Sequence, residues 1–217
     1  MTDYAAARAA MVDCQIRPSD VTRYGLIAAM LKIPRERFVP RGRRAVAYAG
    51  LEIEIAPGRA LLEPRILAKM IDAAAIGDKD LVLDLAPGTG YSSAVMAELA
   101  EAVVAIEPDE ALARAAQQTI VELDIHNAAV SAGDPAVGDA PHGPYDVIFV
   151  NGMVGRIPDA LYAQLRDGGR LVAIFAEGSV GKCRLVVKSG GGFSERYLFD
   201  AGGPALEGFE KLASFEF

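Results

Sequence analysis

The sequence predicts an α/β fold built on a parallel sheet with helices on both faces, and three observations carry that prediction. From Leu81 to Ala176 apolar strand-like runs alternate with helix-like stretches, as a sheet buried on both sides requires. Within this region Asp80–Val95 reads as strand, tight turn with two glycines, and helix, an arrangement that brings backbone N–H groups and a helix N-terminus close to a ligand. Beyond Ala176 the pattern changes to strand-like runs joined by glycine turns, as in an antiparallel hairpin that finishes a sheet.

Taken in order, Ala5, Ala9 and Val12 recur at near-helical spacing, and Val21–Leu31 forms a second helical pattern. Pro18, Ser19 and Asp20 mark the break, with Ser19 or Asp20 placed to cap the second helix, and Pro34 stops it. Residues 35–44 hold five arginines and one glutamate around Phe38. Two readings are open for this stretch: steering of an anionic or peptide substrate, or a solvated face around a buried Phe38. Leu51–Ile55 alternates as a half-buried strand, Ala56-Pro57-Gly58 is a turn, and Pro64 opens a helix through Ile66, Leu67, Met70 and Ile71.

The alternation then assigns strands to Leu81–Leu85, Ala102–Ile106, Ala128–Ser131, Asp146–Val150 and Arg170–Ala176. Helices fall at Tyr91–Ala100, Asp109–Leu123 and Pro158–Leu165, the last closed by Gly168-Gly169. Arg184–Lys188, Ser194–Phe199 and Leu212–Phe217 are strand-like, with Gly190-Gly191-Gly192 as a turn. With no interdomain linker, residues 1–217 are expected to form one domain: 1–75 a helical, substrate-side extension and 76–217 a cofactor-binding core.

Composition narrows the function classes. With 217 residues, 52% hydrophobic and 24% charged, the chain can bury a full core. A net charge of -7 argues against nucleic acid as a partner, since such binding is dominated by cationic contacts to phosphate. The absence of an apolar run near the roughly 18 residues that span a bilayer, or of a secretory h-region, predicts a cytoplasmic protein without a membrane partner. Cys14 and Cys183 form no CxxC pair, and neither His126 nor His142 lies near a cysteine, so no metal site is expected.

The glycine turn poses the ligand question. If Gly88 and Gly90 are the first two glycines of a dinucleotide fingerprint, Ser93 stands where the third belongs. Gly178-Ser179-Val180-Gly181-Lys182 lacks the four-residue gap of a P-loop and reads as a surface turn. Glu107 ends the second strand nineteen positions after Gly88, where a carboxylate accepts hydrogen bonds from ribose hydroxyls. Dinucleotides and S-adenosylmethionine both carry such a ribose. Alternatively, Glu107-Pro108-Asp109 caps the helix that follows.

Motif order settles on one group. Pro34–Pro40, Ala47-Tyr48, Pro64, Val82–Tyr91, Glu107, His126-Asn127, Gly133-Asp134, Tyr145–Ile148 and Leu165–Val172 together resemble the protein-L-isoaspartate O-methyltransferase family over nearly the whole chain. The resemblance implies a Rossmann-like class I methyltransferase fold, with a mostly parallel seven-stranded sheet ending in an antiparallel hairpin. It implies S-adenosylmethionine as cofactor and isoaspartyl-containing protein or peptide as substrate, in protein repair. By position it implies cofactor contacts from Asp84, Ala86, Gly88, Gly90, Tyr91, Glu107, Asp134 and Asn151, with Glu107 on the ribose and Asp134 near the adenine.

The chain departs from the family pattern mainly at Leu61-Leu62-Glu63-Pro64, where relatives have Ile-Ser-Gln-Pro and the hydroxyl binds the substrate carboxylate. Leu62 and Glu63 therefore hold the position of the catalytic, substrate-binding segment without its donor, and Arg59 and Arg65 flank it as compensating cations. The same departure leaves open a different, small carboxylate acceptor or a catalytically impaired cofactor-binding protein. Asn151-Gly152-Met153 and Pro135 also differ from the family's usual Thr-Ala-Ala and glycine, and Ala86 replaces a glycine.

Overall fold

The computed structural model describes residues 2–178 and 180–211. Ser179 and the strand expected at 212–217 lie outside them. Helix α1 (Tyr4–Met11) is capped by Asp3, whose carboxylate accepts from the Ala6 N–H, and continues into a wider turn at Val12–Ile16 and a 3-10 turn at Arg17–Ser19. Helix α2 (Tyr24–Lys32) starts after Arg23 without a side-chain cap. The expected caps serve the preceding segment instead. Ser19 donates back to the Gln15 carbonyl, and Asp20 takes the left-handed conformation (φ 65°) that ends the 3-10 turn.

The arginine-rich stretch forms two 3-10 turns, Arg35–Phe38 and Arg41–Val46. Phe38 is buried as expected, but the stretch is not only a solvated face, because Arg35 is fully buried. It donates to the Ala47 and Leu62 carbonyls and lies 4.8 Å over the Tyr91 ring. Strands β1 (Ile53–Ala56) and β2 (Arg59–Leu61) form a separate antiparallel hairpin through the Pro57-Gly58 turn. Helix α3 (Pro64–Ala74) follows with proline in its first turn and buries Ile66, Leu67, Met70 and Ile71, each worth roughly 1.5–3 kcal/mol when fully removed from water.

The main sheet contains β3 (Leu81–Leu85), β4 (Ala102–Glu107), β5 (Ala128–Ala132), β6 (Tyr145–Val154), β7 (Leu165–Glu177), β8 (Val180–Ser189) and β9 (Gly192–Asp200), in the order β5-β4-β3-β6-β7-β8-β9. The first five are parallel neighbours, and β8 and β9 pair antiparallel. Helices α4 (Tyr91–Ala97), α5 (Glu110–Glu122) and α6 (Asp159–Ala163) complete the alternation. One apolar cluster runs from Met11 and Ile16 through Ile66 and Ile71 to Val82 and Val172, so the N-terminal segment shares its core with the sheet.

Several boundaries move: α4 ends at Ala97 rather than Ala100, and β9 already begins at Gly192 of the expected turn. Gly168-Gly169 do not close α6 but lie inside β7, because Leu165 already pairs with Tyr145 and the register jumps before Arg170 meets Val147. The turn expected at 178–182 is confined to its start, since β8 begins at Val180. Strand β6 runs on to Val154 because Met153 acquires a second partner, exchanging backbone hydrogen bonds with Pro204 and Leu206 near the C-terminal end of the described chain.

Candidate functional site

The parallel strands β3 and β4 point their C-terminal ends at a crevice where strand order reverses, since β3 has β4 on one side and β6 on the other. Each strand end carries a buried carboxylate, and the fold satisfies the two differently. Asp84, on β3, is fully buried and accepts from the Ser92 hydroxyl (2.8 Å), the Ser93 hydroxyl (2.6 Å) and the Asn151 amide. Burial pushes its carboxyl up to about 7, against the downward pull of those three donors. Ser93, the mismatch to a dinucleotide fingerprint, is thus a ligand of Asp84. Asn151 spans from β6 to hold both Asp84 and the Leu85 carbonyl.

Between β3 and α4 the turn takes positive φ at Ala86 (56°), Gly88 (63°) and Gly90 (91°). A Cβ on Gly88 would lie 2.3 Å from the Ile55 side chain of β1, so the hairpin sits directly on this turn. Thr89 donates to the Phe38 carbonyl at 2.5 Å and fixes the turn from the other side.

Glu107, at the end of β4, is also fully buried. The two readings of Glu107-Pro108-Asp109 separate here. Asp109 is the N-cap of α5, accepting from the Ala111 and Leu112 N–H groups, which lower its carboxyl. Glu107 is left for the site. It accepts from the N–H of Gly88 (2.7 Å) and from both terminal nitrogens of Arg59 (2.7 and 2.8 Å), and burial raises its carboxyl in spite of Arg59.

In front of these groups lies a cleft of about 750 Å³, lined by Gly58, Arg59, Ala86, Asp109, Asp134 and Leu206, among others. That volume lies within the range of pockets for small organic ligands. Of the residues expected to bind a cofactor, Ala86 and Asp134 line the cleft directly. Asp134 accepts from the Ala136 N–H and shapes the loop tied by the Gly133 N–H to the Glu107 carbonyl. Glu107 sits behind Arg59, Gly88 and Gly90 build the turn, and Asp84 and Asn151 support it from below. Tyr91 faces away, packed on Phe38 at 5.6 Å between ring centres.

The acceptor segment follows its reading at Arg65 and differs from it at Leu62 and Arg59. Leu62 is buried at 3% exposure and belongs to the core, and its carbonyl accepts from Arg35. Arg65 binds Glu63 at 2.9 Å, the compensation expected of it. Arg59, expected to do the same, does not, since its charge is taken up by Glu107. Leu62, Tyr91 and Asn151 border a small space of about 10 Å³, with Arg35 on its wall over the Tyr91 ring.

Sequence reasoning missed one wall of the cleft, the segment from Ala205 to Gly208. It is anchored by the fully buried Phe209 and by the bonds to Met153. The departure Asn151-Gly152-Met153 was its signal, because a Cβ on Gly152 would lie 2.7 Å from the Pro204 carbonyl oxygen. Among the described residues no helix is long and apolar enough to cross a membrane, and no group of three or more His, Cys, Asp or Glu side chains is placed to hold a metal ion.

Comparison with known proteins bears on this geometry. The family model described as protein-L-isoaspartate(D-aspartate) O-methyltransferase matches residues 7–198. A protein-L-isoaspartate O-methyltransferase of Koribacter versatilis is 38% identical over 172 residues, covering 79% of this chain and 78% of the relative. The enzyme of that name from Gloeobacter violaceus is 35% identical over 190 residues, covering 87% and 93%. A solved protein-L-isoaspartate O-methyltransferase matches 94% of this chain and 67% of its own, with TM-score 0.83 and 23% identity. A Plasmodium falciparum structure assigned the same activity, solved with S-adenosyl-L-homocysteine, matches 95% and 99% with TM-score 0.80 and 16% identity. At these identities the two structures speak for the fold.

Proposed function

The chain belongs to the protein-L-isoaspartate(D-aspartate) O-methyltransferase family, and on that footing we propose that its cleft binds S-adenosylmethionine and presents it to the carboxylate of an isoaspartyl residue in a protein or peptide. The protein is an S-adenosylmethionine-dependent carboxyl O-methyltransferase. When bound, the cofactor supplies a methyl group activated by a sulfonium.

The single observation that carries the site assignment is the pair of strand ends at one crevice: a glycine turn on β3 and a buried carboxylate on β4, opening on a cleft of about 750 Å³. The residues fit the cofactor. The turn holds three residues at positive φ, Ala86, Gly88 and Gly90, with Ala86 on the cleft wall, and Glu107 is an acceptor-only group where a ribose diol would be read. Ala86 and Asp134, which line the cleft, would hold the cofactor there.

The chemistry asks little of the protein in proton transfer. A carboxylate acceptor with pKa near 4 is already ionised at neutral pH, so no general base is required. What remains is to hold the acceptor in line with the methyl group and to keep water out. In this chain Leu62 is buried in the core and Arg65 neutralises Glu63, so the segment does not repel an anionic acceptor. Incubation with an isoaspartyl peptide and methyl-labelled cofactor tests the reading. Base-labile label above that on the aspartyl isomer is the expected outcome, and equal label on both would overturn it.

A further inference from the structure

Every lone-pair site of the Glu107 carboxylate is occupied. Oε1 accepts from Arg59 Nη1 (2.7 Å) and the Asp109 N–H (3.2 Å), while Oε2 accepts from Arg59 Nη2 (2.8 Å) and the Gly88 N–H (2.7 Å). A carboxylate offers about four such sites. A ribose diol therefore gains a hydrogen bond to Glu107 only by taking the place of a donor already there.

The four donors are not equally replaceable. Two are backbone groups, fixed by the glycine turn and by the start of α5. The other two belong to one side chain at the start of β2, which lines the cleft, keeps 14% exposure and makes one other hydrogen bond, to the Ala86 carbonyl at 3.1 Å. Its Nε is buried without a partner. The guanidinium is thus held chiefly by the carboxylate and has open cleft beside it.

We propose that Arg59 is an exchangeable stand-in for the cofactor ribose: it neutralises Glu107 in the free protein and is displaced from it when S-adenosylmethionine or its demethylated product binds. The proposal rests on the methyltransferase reading. The fold supplies a reason for such a residue, because a fully buried carboxylate without a partner is strongly destabilising. It also supplies a consequence. Arg59 is joined through Ala60 and Leu61 to Leu62 and Glu63, so release of the guanidinium loosens the hairpin that leads into the acceptor segment. Cofactor and acceptor binding are then linked through one element, and each alters the affinity for the other by the same factor.

Calorimetric titration of S-adenosyl-L-homocysteine into the wild type, Arg59→Gln and Arg59→Ala tests this. Removing the competitor tightens binding, with Kd lower by about tenfold, the equivalent of about 1.4 kcal/mol. The ligand-free variants melt below the wild type, and the ligand raises their melting temperature by more than it raises that of the wild type. Arg59→Lys, which keeps the cation but loses the two-pronged contact, falls between and serves if a neutral variant fails to fold. Weaker binding in the variants would show that Arg59 contacts the cofactor, and equal binding would show that it does not compete; either result overturns the proposal. No binding to wild type or variants would overturn the cofactor assignment itself, and the exchange with it.

Discussion

The floor of the cleft and the hairpin that covers it are built on different terms. In the floor, the Asp84 carboxylate is held by Ser92, Ser93 and Asn151, neutral donors from elements packed around it. In the cover, the charges are held by one another: Arg59 on Glu107, Arg65 on Glu63, and Arg43 on Glu54. The difference teaches which parts of the site can move. A buried carboxylate tied by short side chains has nowhere to go, whereas an arginine on a two-stranded hairpin is a long side chain that can leave its partner without unfolding the sheet.

The largest effect should come from breaking the floor. Asp84→Ala removes the shared acceptor of three buried donors and is expected to lower stability by about 3 kcal/mol or more, read from urea unfolding. A loss below about 1 kcal/mol would mean that the donors find other partners. On the cover, Leu62→Ser restores a hydroxyl to the acceptor segment. It is expected to raise kcat/KM on an isoaspartyl peptide about ten- to a hundredfold, as one hydrogen bond to a charged group allows. The same change gives up a buried leucine and costs about 3 kcal/mol of stability, so it should be assayed at low temperature.

Acidity sharpens the contrast further. The folded Asp84 carboxyl titrates at about 7 against an ordinary 3.8, so its proton is bound more tightly in the folded state. The stability it contributes is fully present below 3.8 and is lost as pH rises to about 7. Asp84→Asn should flatten the pH dependence of unfolding in that window, and an unchanged slope would assign it to other groups. The smallest expected effect is at Ala86, which holds a left-handed conformation (φ 56°) that glycine adopts without strain. Ala86→Gly should gain about 0.5 kcal/mol, the balance of relieved strain and added unfolded-state entropy, measured by the denaturant midpoint.

Local patterns carried most of the fold into view. The alternation of β3 to β7 with helices, the glycine turn and the terminal hairpin depend on neighbours within a few residues, and each is found where its pattern lies. Glu107 was visible for the same reason, as the acid at the end of a strand. The site's remaining features depend on distant partners. Arg35 stands in a charged run and Arg59 follows a Pro-Gly turn, contexts that suggest solvent, but one is buried beneath Tyr91 and the other meets a carboxylate forty-eight positions away. The wall at 205–208 has no periodic signal, and its place is set by Phe209 and by the backbone of β6. Ser93 shows the reverse case, since a mismatch to one motif is explained only when Asp84 is seen beside it.

A crystal structure of the protein with S-adenosyl-L-homocysteine tests the contrast between floor and cover most directly. The expected complex has the ligand ribose on the Glu107 carboxylate, Arg59 withdrawn from it, and the bonds from Ser92, Ser93 and Asn151 to Asp84 unchanged. Arg59 still paired with Glu107 while the ligand is bound, or a ligand seated away from the glycine turn, would contradict it.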